Sequence, residues 1–490
     1  MKKQLLLLLI ITSAFAAQSQ NLGFPYNEDQ PIFNTPADTT QAVKRLSRLL
    51  TILNEFSFDA YIQPEWQITD TAGSGAGSVK GITGVQGGQF PTAANNRFLL
   101  RRSRFRLGYE HRNAKDLKVV EFYFQFDASV TGFTAKEIYG RIIDPWTGWF
   151  GIQGGITKRP FGYETPAPSQ YIESPEVARV NQTIFPNDYE LGEAIVIESP
   201  SKFTKFYFRA DATLVNGQGV GVGSETGTYQ SKKDFIGRIK AAKAWYVNGG
   251  GNQRGGTTWG INGSLSYYGG GVLQTTENVY EVVDGDFKNI TKGTSDTSQA
   301  LRQYYKREYY GAQLQAQVDY WGGTTSLRGE YITGTQPGSL ASSQVPTGTG
   351  TTVPGVDLYV RDFNGAMFYL VQSIKSHLKD HIIYQDFTMK YDWYNPNTTV
   401  KQSQLTAAAG FSSTDVEYST IGFGYTIAPY SWFKLVLWYD HVINASTGLA
   451  GYKADYTKQD VFTIRTQFNI DTKWFKAKSP YQDNLLSKGY

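Results

Sequence analysis

From residue 56 onward, apolar and polar residues alternate along many segments of the chain. In the first segment, Phe56, Phe58, Ala60 and Ile62 alternate with Ser57, Asp59, Tyr61 and Gln63. Successive side chains of a strand point to opposite faces, so this period of two predicts a strand with one apolar and one wet face. About 16 segments show the pattern: 56–68, 96–110, 117–128, 134–143, 149–158, 191–198, 202–215, 234–246, 258–269, 307–320, 324–334, 364–375, 382–394, 417–427, 432–443 and 460–470.

The length of these segments and the polar residues along one face of each distinguish a membrane barrel from a soluble sandwich. Most of them have the roughly 9–11 residues that a tilted strand needs to cross hydrocarbon. Polar side chains such as Gln313, Gln315 and Gln317 recur on one parity, where a sandwich would need an apolar core. Short and long connections also alternate, as periplasmic turns and outer loops do in such barrels. The fold class predicted is all-β, a transmembrane antiparallel β-barrel of about 16 strands over residues 56–470.

The segments that flank the barrel have different patterns. A basic start, an apolar stretch from Leu5 to Ile11 and the small residues Ala14 and Ala16 predict a signal peptide over residues 1–20. Within residues 21–55, a capping sequence at Asp38 precedes a short amphipathic helix predicted over 41–55. This helix could pack against its own barrel or contact a subunit or periplasmic partner. Residues 471–490 are expected to form a periplasmic C-terminal tail.

Composition excludes several classes of protein. The net charge is +4, and it falls to +2 without Lys2 and Lys3 of the leader, which argues against a nucleic-acid partner bound through bulk charge. Cysteine is absent, so disulfides, thiolate metal sites and a cysteine nucleophile are excluded. The mean hydropathy of −0.38 suits a barrel, whose strands are wet on one side. Neither a cofactor nor a metal ion is expected.

Three arginines form the sharpest candidate site. Arg102, Arg104 and Arg106 share one face of a predicted strand, and on a lipid face each would cost about 2–4 kcal/mol near the midplane. They are therefore predicted to face the lumen. A row of Arg is one way in which pores prefer anions, because the forked donors match phosphate or carboxylate. Alternatively, the row is paired with lumen acids, for which the candidates are Glu110, Glu121, Asp127 and Glu137.

Other cations extend this prediction. Arg209 and Arg238 are predicted to face the lumen, as are Lys240, Arg328 and Arg465. The long connection that follows the fifth strand contains Lys158, Arg159 and several prolines, which limit its flexibility. It is expected to fold into the lumen and narrow it, with a surface loop as the alternative.

Enzymatic activity is not expected. The chain has four histidines, and only His441, next to Asp440 in the sequence, invites a catalytic interpretation. Glycine-rich runs such as Gly217–Gly223 lie in a loop without a following helix, so they do not indicate a phosphate cradle.

The chain resembles the phosphate-selective porin O/P family through an ordered set of stretches. These are the arginine-rich Phe98–Arg104, the passage Gly154–Glu164 with Lys158, Pro160, Phe161 and Gly162, then Leu214–Gly217, Tyr310–Gln313, Gly329–Ile332 and Lys390–Pro396. The resemblance covers roughly residues 55–470 and implies a trimeric, 16-stranded outer-membrane barrel. It also implies a lumen arginine ladder, carried over onto Arg102, Arg104 and Arg106, and an inward loop with Lys158 and Arg159 that selects anions.

Pattern and resemblance together predict a porin of the bacterial outer membrane. It would pass small hydrophilic solutes by diffusion, either as a general porin or with a preference for anions, among which phosphate and polyphosphate are the candidates. The expected partners are small anionic solutes such as phosphate, outer-membrane lipid and two further copies in a homotrimer. The alternative is a barrel that acts as a docking component of a larger secretion or uptake complex.

Overall fold

A computed structural model describes most of the predicted barrel. The described residues are 55–70, 90, 94–129, 132–186, 188–200, 206–217, 219, 232–251, 254–274, 278–292, 303–340, 343, 357–378, 381–406, 411, 415–444 and 458–471. The predicted signal peptide, the helix over 41–55 and the tail over 471–490 lie outside the described residues, apart from Glu55 and Asp471.

In the described part of the chain, sixteen antiparallel strands form the closed barrel, and two shorter strands lie in one of its loops. Each barrel strand pairs with its neighbours in sequence, and the first strand also pairs with the last, through Ala60 with Ile470 and Trp66 with Ile464. The barrel therefore has no free edge. Its strands are β1 Phe56–Thr69, β2 Asn96–Arg112, β3 Lys118–Ser129, β4 Gly132–Ile143, β5 Phe150–Lys158, β6 Tyr189–Glu198, β7 Phe206–Val215, β8 Asp234–Val247, β9 Thr257–Leu273, β12 Tyr304–Tyr320, β13 Gly323–Gly338, β14 Leu358–Leu378, β15 His381–Asn395, β16 Tyr418–Tyr430, β17 Phe433–Asn444 and β18 Lys458–Asp471.

The alternation in the sequence becomes an apolar outside and a polar inside. Phe98, Ile142 and Leu265 point outward and are 82%, 70% and 67% exposed. Buried polar side chains line the inner face, among them Gln63, Glu65, Gln67, Gln313, Glu330, Asp392, Thr463, Arg465 and Gln467. A soluble protein would bury the outward set, whereas lipid covers it in a membrane-spanning barrel. The predicted fold class and strand count are confirmed.

The two ends of the barrel differ in the length of their connections. At the short-turn end, residues 113–117, 144–149, 321–322 and 431–432 each join two strands. Trp146, Trp321 and Trp432 lie in these turns and are at least 42% exposed, as expected for aromatic residues at a membrane interface. At the long-loop end, most connections are longer, and residues 130–131 between β3 and β4 are the exception. No helix among the described residues is long and apolar enough to cross a bilayer.

The long-loop end includes a small folded cap that the sequence pattern did not indicate. Strands β10 (Val279–Val283) and β11 (Asp286–Asn289) form a hairpin, and β10 pairs in parallel with the start of β14. The cap has its own apolar core of Val282, Val400, Leu405, Phe411 and Val416. A buried ion pair at 2.6 Å, between Arg361 of β14 and Asp415, fixes this core to the barrel wall.

Candidate functional site in the barrel lumen

Residues 159–188, which connect β5 to β6, fold into the barrel. We call them the lumen segment. Its described residues, all but 187, contain one short helix, α1, over Arg179–Ile184. Phe161, Ala178 and Ile184 of this segment are fully buried, which a surface loop would not allow. The predicted inward folding of this connection is therefore observed.

The lumen segment packs against aromatic residues of the inner wall near the long-loop end. The ring of Phe185 lies 5.7 Å from that of Tyr268 and 5.6 Å from that of Tyr309. Phe161, Val180 and Ile184 join the same apolar cluster. Full burial of each such side chain contributes about 1.5–3 kcal/mol, so this contact is a packed core and not a loose approach.

Gly162 permits the sharp entry of the chain into the lumen. Its φ is +63°, in the left-handed region, and a Cβ there would overlap Oε1 of Glu330. The missing side chain leaves room for Glu330 to accept a hydrogen bond from the backbone N–H of Tyr163 at 3.3 Å.

At the tip of the lumen segment, Glu176 lies between two arginines of β2. Its Oε1 accepts a hydrogen bond from Nε of Arg101, and its Oε2 lies 2.9 Å from Nη2 of Arg102. Burial of the Glu176 carboxyl opposes ionisation, but the charges of Arg102 and Arg101 outweigh it and lower its pKa to about 2. The pair of arginines thus holds a charged carboxylate that belongs to the protein itself.

A second carboxylate of the tip is held on the opposite wall. Nη1 and Nη2 of Arg328 donate to the two carboxylate oxygens of Glu173 at 3.1 and 3.0 Å, a forked contact. The guanidinium of Arg328 also stacks over the ring of Tyr163 at 3.8 Å. Burial raises the pKa of Glu173. The charge and hydrogen bonds of Arg328 lower it by a larger amount, so the pKa lies below its ordinary value.

Cations of the wall also bind the main chain of the lumen segment. A buried carbonyl needs a donor, and here the donors come from charged side chains on several strands. Pro175 O accepts from Arg465 at 2.6 Å and from Arg102 at 3.3 Å, Gln170 O from Lys434 at 3.0 Å, Ile184 O from Arg307 at 3.1 Å, Gly162 O from Arg238 at 3.4 Å, Glu176 O from Lys390 at 3.4 Å, and Ala167 O from Lys158.

The predicted arginine row lies on the inner wall. Arg102 pairs with Glu176, Arg104 with Asp127 at 3.3 Å, and Arg106 with Glu137 at 3.3 Å. Asp127 and Glu137 are two of the four lumen acids named as partners from the sequence. Arg104 also donates to the hydroxyl of Ser169 in the lumen segment at 3.1 Å.

The other predicted cations are inside as well. Lys158 contacts the lumen segment, and Arg159 forms a buried pair with Glu190 at 2.5 Å at the base of that segment. Arg209 and Arg238 share Asp211, at 2.7 and 3.0 Å. The geometry brings Arg102, Arg104, Lys158 and Arg238 to the lumen segment, while Arg106 and Arg209 face the lumen beside it.

Sequence reasoning missed Arg101 and both carboxylates of the tip. A bulge opposite Gln63 and Pro64 leaves Arg101 without a partner across the strand, because Gln63 pairs with Arg102 and Pro64 with Leu100. The signal for it was the run Leu99-Leu100-Arg101-Arg102, which breaks the period of two. No local pattern marked Glu173 or Glu176, since tertiary contacts position them.

The structure does not bring the side chains of His441 and Asp440 together. Asp440 is buried on the inner face of β17, and the neighbouring His441 lies on the opposite face. Nδ1 of His441 lies 2.6 Å from Oδ1 of Asp460 instead. Within the described residues, no group of three His, Asp or Glu side chains could hold a metal ion.

Between the lumen segment and the short-turn end, the lumen wall is charged and partly exposed. Neighbouring side chains pair there, including Lys118 with Glu110 at 2.9 Å and Arg141 with Glu198 at 2.8 Å. A closed barrel with an apolar outside and a charged inside is a membrane-spanning β-barrel of the outer-membrane type. This class, and with it the outer-membrane location, agrees with the prediction from the sequence.

Comparisons with known proteins give fold likeness at low identity. No family model matches the chain, and no curated protein matches it. Among solved structures, the anion-selective porin from Comamonas acidovorans is 10% identical, over 85% of this chain and 99% of that chain, with a TM-score of 0.45. The trimer form of OmpT, an outer membrane protein of Vibrio cholerae, is 10% identical over 85% and 99%, with a TM-score of 0.42. OmpF of Salmonella typhi, in complex with daunomycin, is 10% identical over 85% and 97%, with a TM-score of 0.41.

Proposed function

We propose that the protein is an outer-membrane porin that passes small hydrophilic solutes by diffusion and prefers anions. The observation that supports this proposal is the charged inner wall, on which arginines of β2, β7, β8 and β18 face one lumen. Fixed guanidiniums lower the cost of bringing an anion into a low-dielectric pore and offer forked donors to its oxygens. Phosphate and polyphosphate are the anions that match this chemistry best.

Residue roles follow from position. Arg102, Arg104 and Arg106 would guide anions along β2, with Arg209 of β7 and Arg238 of β8 farther around the wall. Lys158 and Arg159 would set the position of the lumen segment and therefore the width of the path. A homotrimer is the proposed assembly, and the mass of the detergent-solubilised protein, measured by light scattering, tests it.

The function is tested by the reversal potential of the purified protein in a planar bilayer under a KCl gradient. We expect reversal on the anion side, reduced current when phosphate is added, and loss of the preference in R102Q/R104Q/R106Q. The matched control neutralises three exposed lysines that lie outside the barrel strands, K115Q/K288Q/K401Q, and should keep the preference. Unchanged selectivity in the arginine variant would show that the row only forms structural ion pairs.

The packed lumen segment favours the second candidate, a docking barrel, because it fills space that a solute needs. For a docking barrel, the intact and correctly folded protein would not conduct. For a porin, the intact protein conducts.

A further inference from the structure

We propose that the lumen segment is a displaceable plug, in which Glu173 and Glu176 occupy an anion site as an internal ligand, and that oxyanions compete with them for it. The site has two parts. Arg101 and Arg102 of β2 hold Glu176, and Arg328 of β13, on the opposite wall, holds Glu173. The inference rests on the proposed function and adds to it a closed state, an open state and the class of solute that shifts one to the other.

The first argument is the balance of charge at the site. Among the described residues, the carboxylates within 4.0 Å of Arg101 and Arg102 belong to Glu176, and the carboxylate at Arg328 belongs to Glu173. All three arginines therefore lose their carboxylate partner when the lumen segment leaves. The three guanidiniums must then bind another anion or water, because a charge that is partly withdrawn from water needs a partner.

The second argument is the chemistry of the contact. Arg102 makes a charge-assisted contact with Glu176, and Arg328 makes a forked contact with Glu173. Arginine makes the same two kinds of contact with phosphate and with carboxylate solutes. The internal ligand thus has the same donor requirement as an external oxyanion. Chloride is a single atom, so it cannot offer a separate acceptor to each of the two N–H groups of a guanidinium as an oxyanion does.

The third argument is the way in which the plug is attached. Lys158 of β5 pairs with Tyr189 of β6, so the two ends of the lumen segment lie side by side on neighbouring strands. The segment can leave the lumen without breaking a strand pair of the barrel. The wall contacts that must break include the apolar packing of Phe161 and Phe185 and the bonds from wall cations. The hydrogen bond from the hydroxyl of Tyr369 to Glu164 must break as well.

A reversible cross-link tests the displacement. A Cβ built at Gly365 of β14 lies 2.8 Å from Cβ of Val180 in α1. A disulfide needs about 3.5–4.5 Å between these atoms, so a small shift allows V180C/G365C to form one. The chain has no cysteine of its own, and each single-cysteine variant serves as a control. We expect the oxidised double variant to conduct less than its reduced form in a planar bilayer, with full recovery after reduction.

Phosphate tests the competition. In the reduced double variant, inorganic phosphate should slow disulfide formation, whereas KCl of equal ionic strength should not. E173Q/E176Q, introduced into the same background, should slow it without phosphate, by about tenfold for the charge-assisted bonds lost. The control E193Q/E281Q makes the same change in net charge at two acids outside the lumen segment and should leave the rate unchanged.

The outcomes separate the inference from the proposed function. Equal conductance of the oxidised and reduced forms, or equal effects of phosphate and chloride on the cross-linking rate, overturns the displaceable plug. A variant in which a short Gly-Ser linker replaces residues 163–184 tests the pore itself. If that variant folds and does not conduct, the porin proposal fails; if it conducts while the cross-link has no effect, only the plug proposal fails.

Discussion

The conformation of one glycine decides how the lumen segment begins. Gly162 combines a positive φ with contact distance to the carboxylate of Glu330, so two independent constraints exclude a side chain there. Replacement by alanine adds a left-handed strain of about 1–2 kcal/mol and a steric overlap.

We therefore expect Gly162→Ala to weaken the docking of the lumen segment. Hydrogen–deuterium exchange of the backbone amides of residues 161–185 should become about tenfold faster, as a loss of about 1.4 kcal/mol requires. Gly154→Ala is the control, because Gly154 has no positive φ and a Cβ there would approach no atom closer than 3.9 Å. Equal exchange in the two variants would contradict this account of the turn.

The pKa of Glu176 allows a second prediction at the scale of single residues, about the pH dependence of conductance. Its pKa is lowered from 4.5 to about 2, so its ionic contribution is complete above pH 4.5 and is lost as the pH falls through 2. The ratio of the conductance of Glu176→Gln to that of the wild type should stay above one between pH 7 and pH 5. It should then decline below pH 4.5 and approach one near pH 2. A ratio that already falls between pH 7 and pH 5 would show that the carboxylate is not held by the arginines.

At the scale of elements, the strands follow from the sequence and the loops do not. The period of two in residues 310–319 places Gln313 inside and Leu314 outside. This could be predicted, because the side that each residue faces depends on its own polarity and not on distant residues. The bulge at Arg101 shifts the register by one residue. The sequence shows the break in the period of two, but the partner strand is needed to show which residue is left unpaired across the strands. The β10–β11 hairpin and the contact of Glu176 with β2 depend on residues far apart in sequence, which no local pattern encodes.

The cap at the long-loop end allows a prediction about one element. Arg361 and Asp415 are 1% and 0% exposed and lie 2.6 Å apart, so Arg361→Met leaves a buried carboxylate without its partner charge. Such a loss costs about 3–5 kcal/mol. We expect limited proteolysis to cut residues 396–417 faster while the barrel stays resistant.

The control for the cap is an exposed ion pair. Lys306, whose side chain is 62% exposed, pairs with Glu308, and exposed pairs contribute about 0–1 kcal/mol. Lys306→Met should digest like the wild type. If both variants are cut at the same rate, the buried pair does not fix the cap.

At the scale of the whole molecule, the barrel divides its surroundings into lipid outside and water or plug inside. Leu314 and Gln315 are adjacent on β12, with Leu314 facing outward at 61% exposure. Leu314→Arg should therefore lower the free energy of unfolding from lipid vesicles by about 2–4 kcal/mol, measured by urea titration. Gln315→Arg should change it far less. Equal losses would mean that the outer face does not meet hydrocarbon.

The arrangement of the lumen could be predicted only in part. The inner position of Arg102, Arg104 and Arg106 followed from the cost of charge in lipid, which a sequence shows directly. Asp127 and Glu137 were among the four acids named from the sequence, but strand register decides which arginine each of them meets. Glu176, the partner of Arg102, was not named, because the path of the lumen segment brings it there. Sequence thus indicated which side chains face the lumen, and the fold determined what they bind there.

The two ends of the lumen segment are anchored on neighbouring strands, and this tether sets a concentration scale. A ligand that belongs to the same chain as its site meets that site at an effective concentration set by the length and stiffness of the connection. Glu173 and Glu176 therefore act as a competitor that cannot diffuse away. A free anion displaces these carboxylates only when the product of its concentration and its affinity exceeds the same product for the tethered carboxylates. The tether therefore lets abundant anions open the pore and keeps the pore closed to scarce ones.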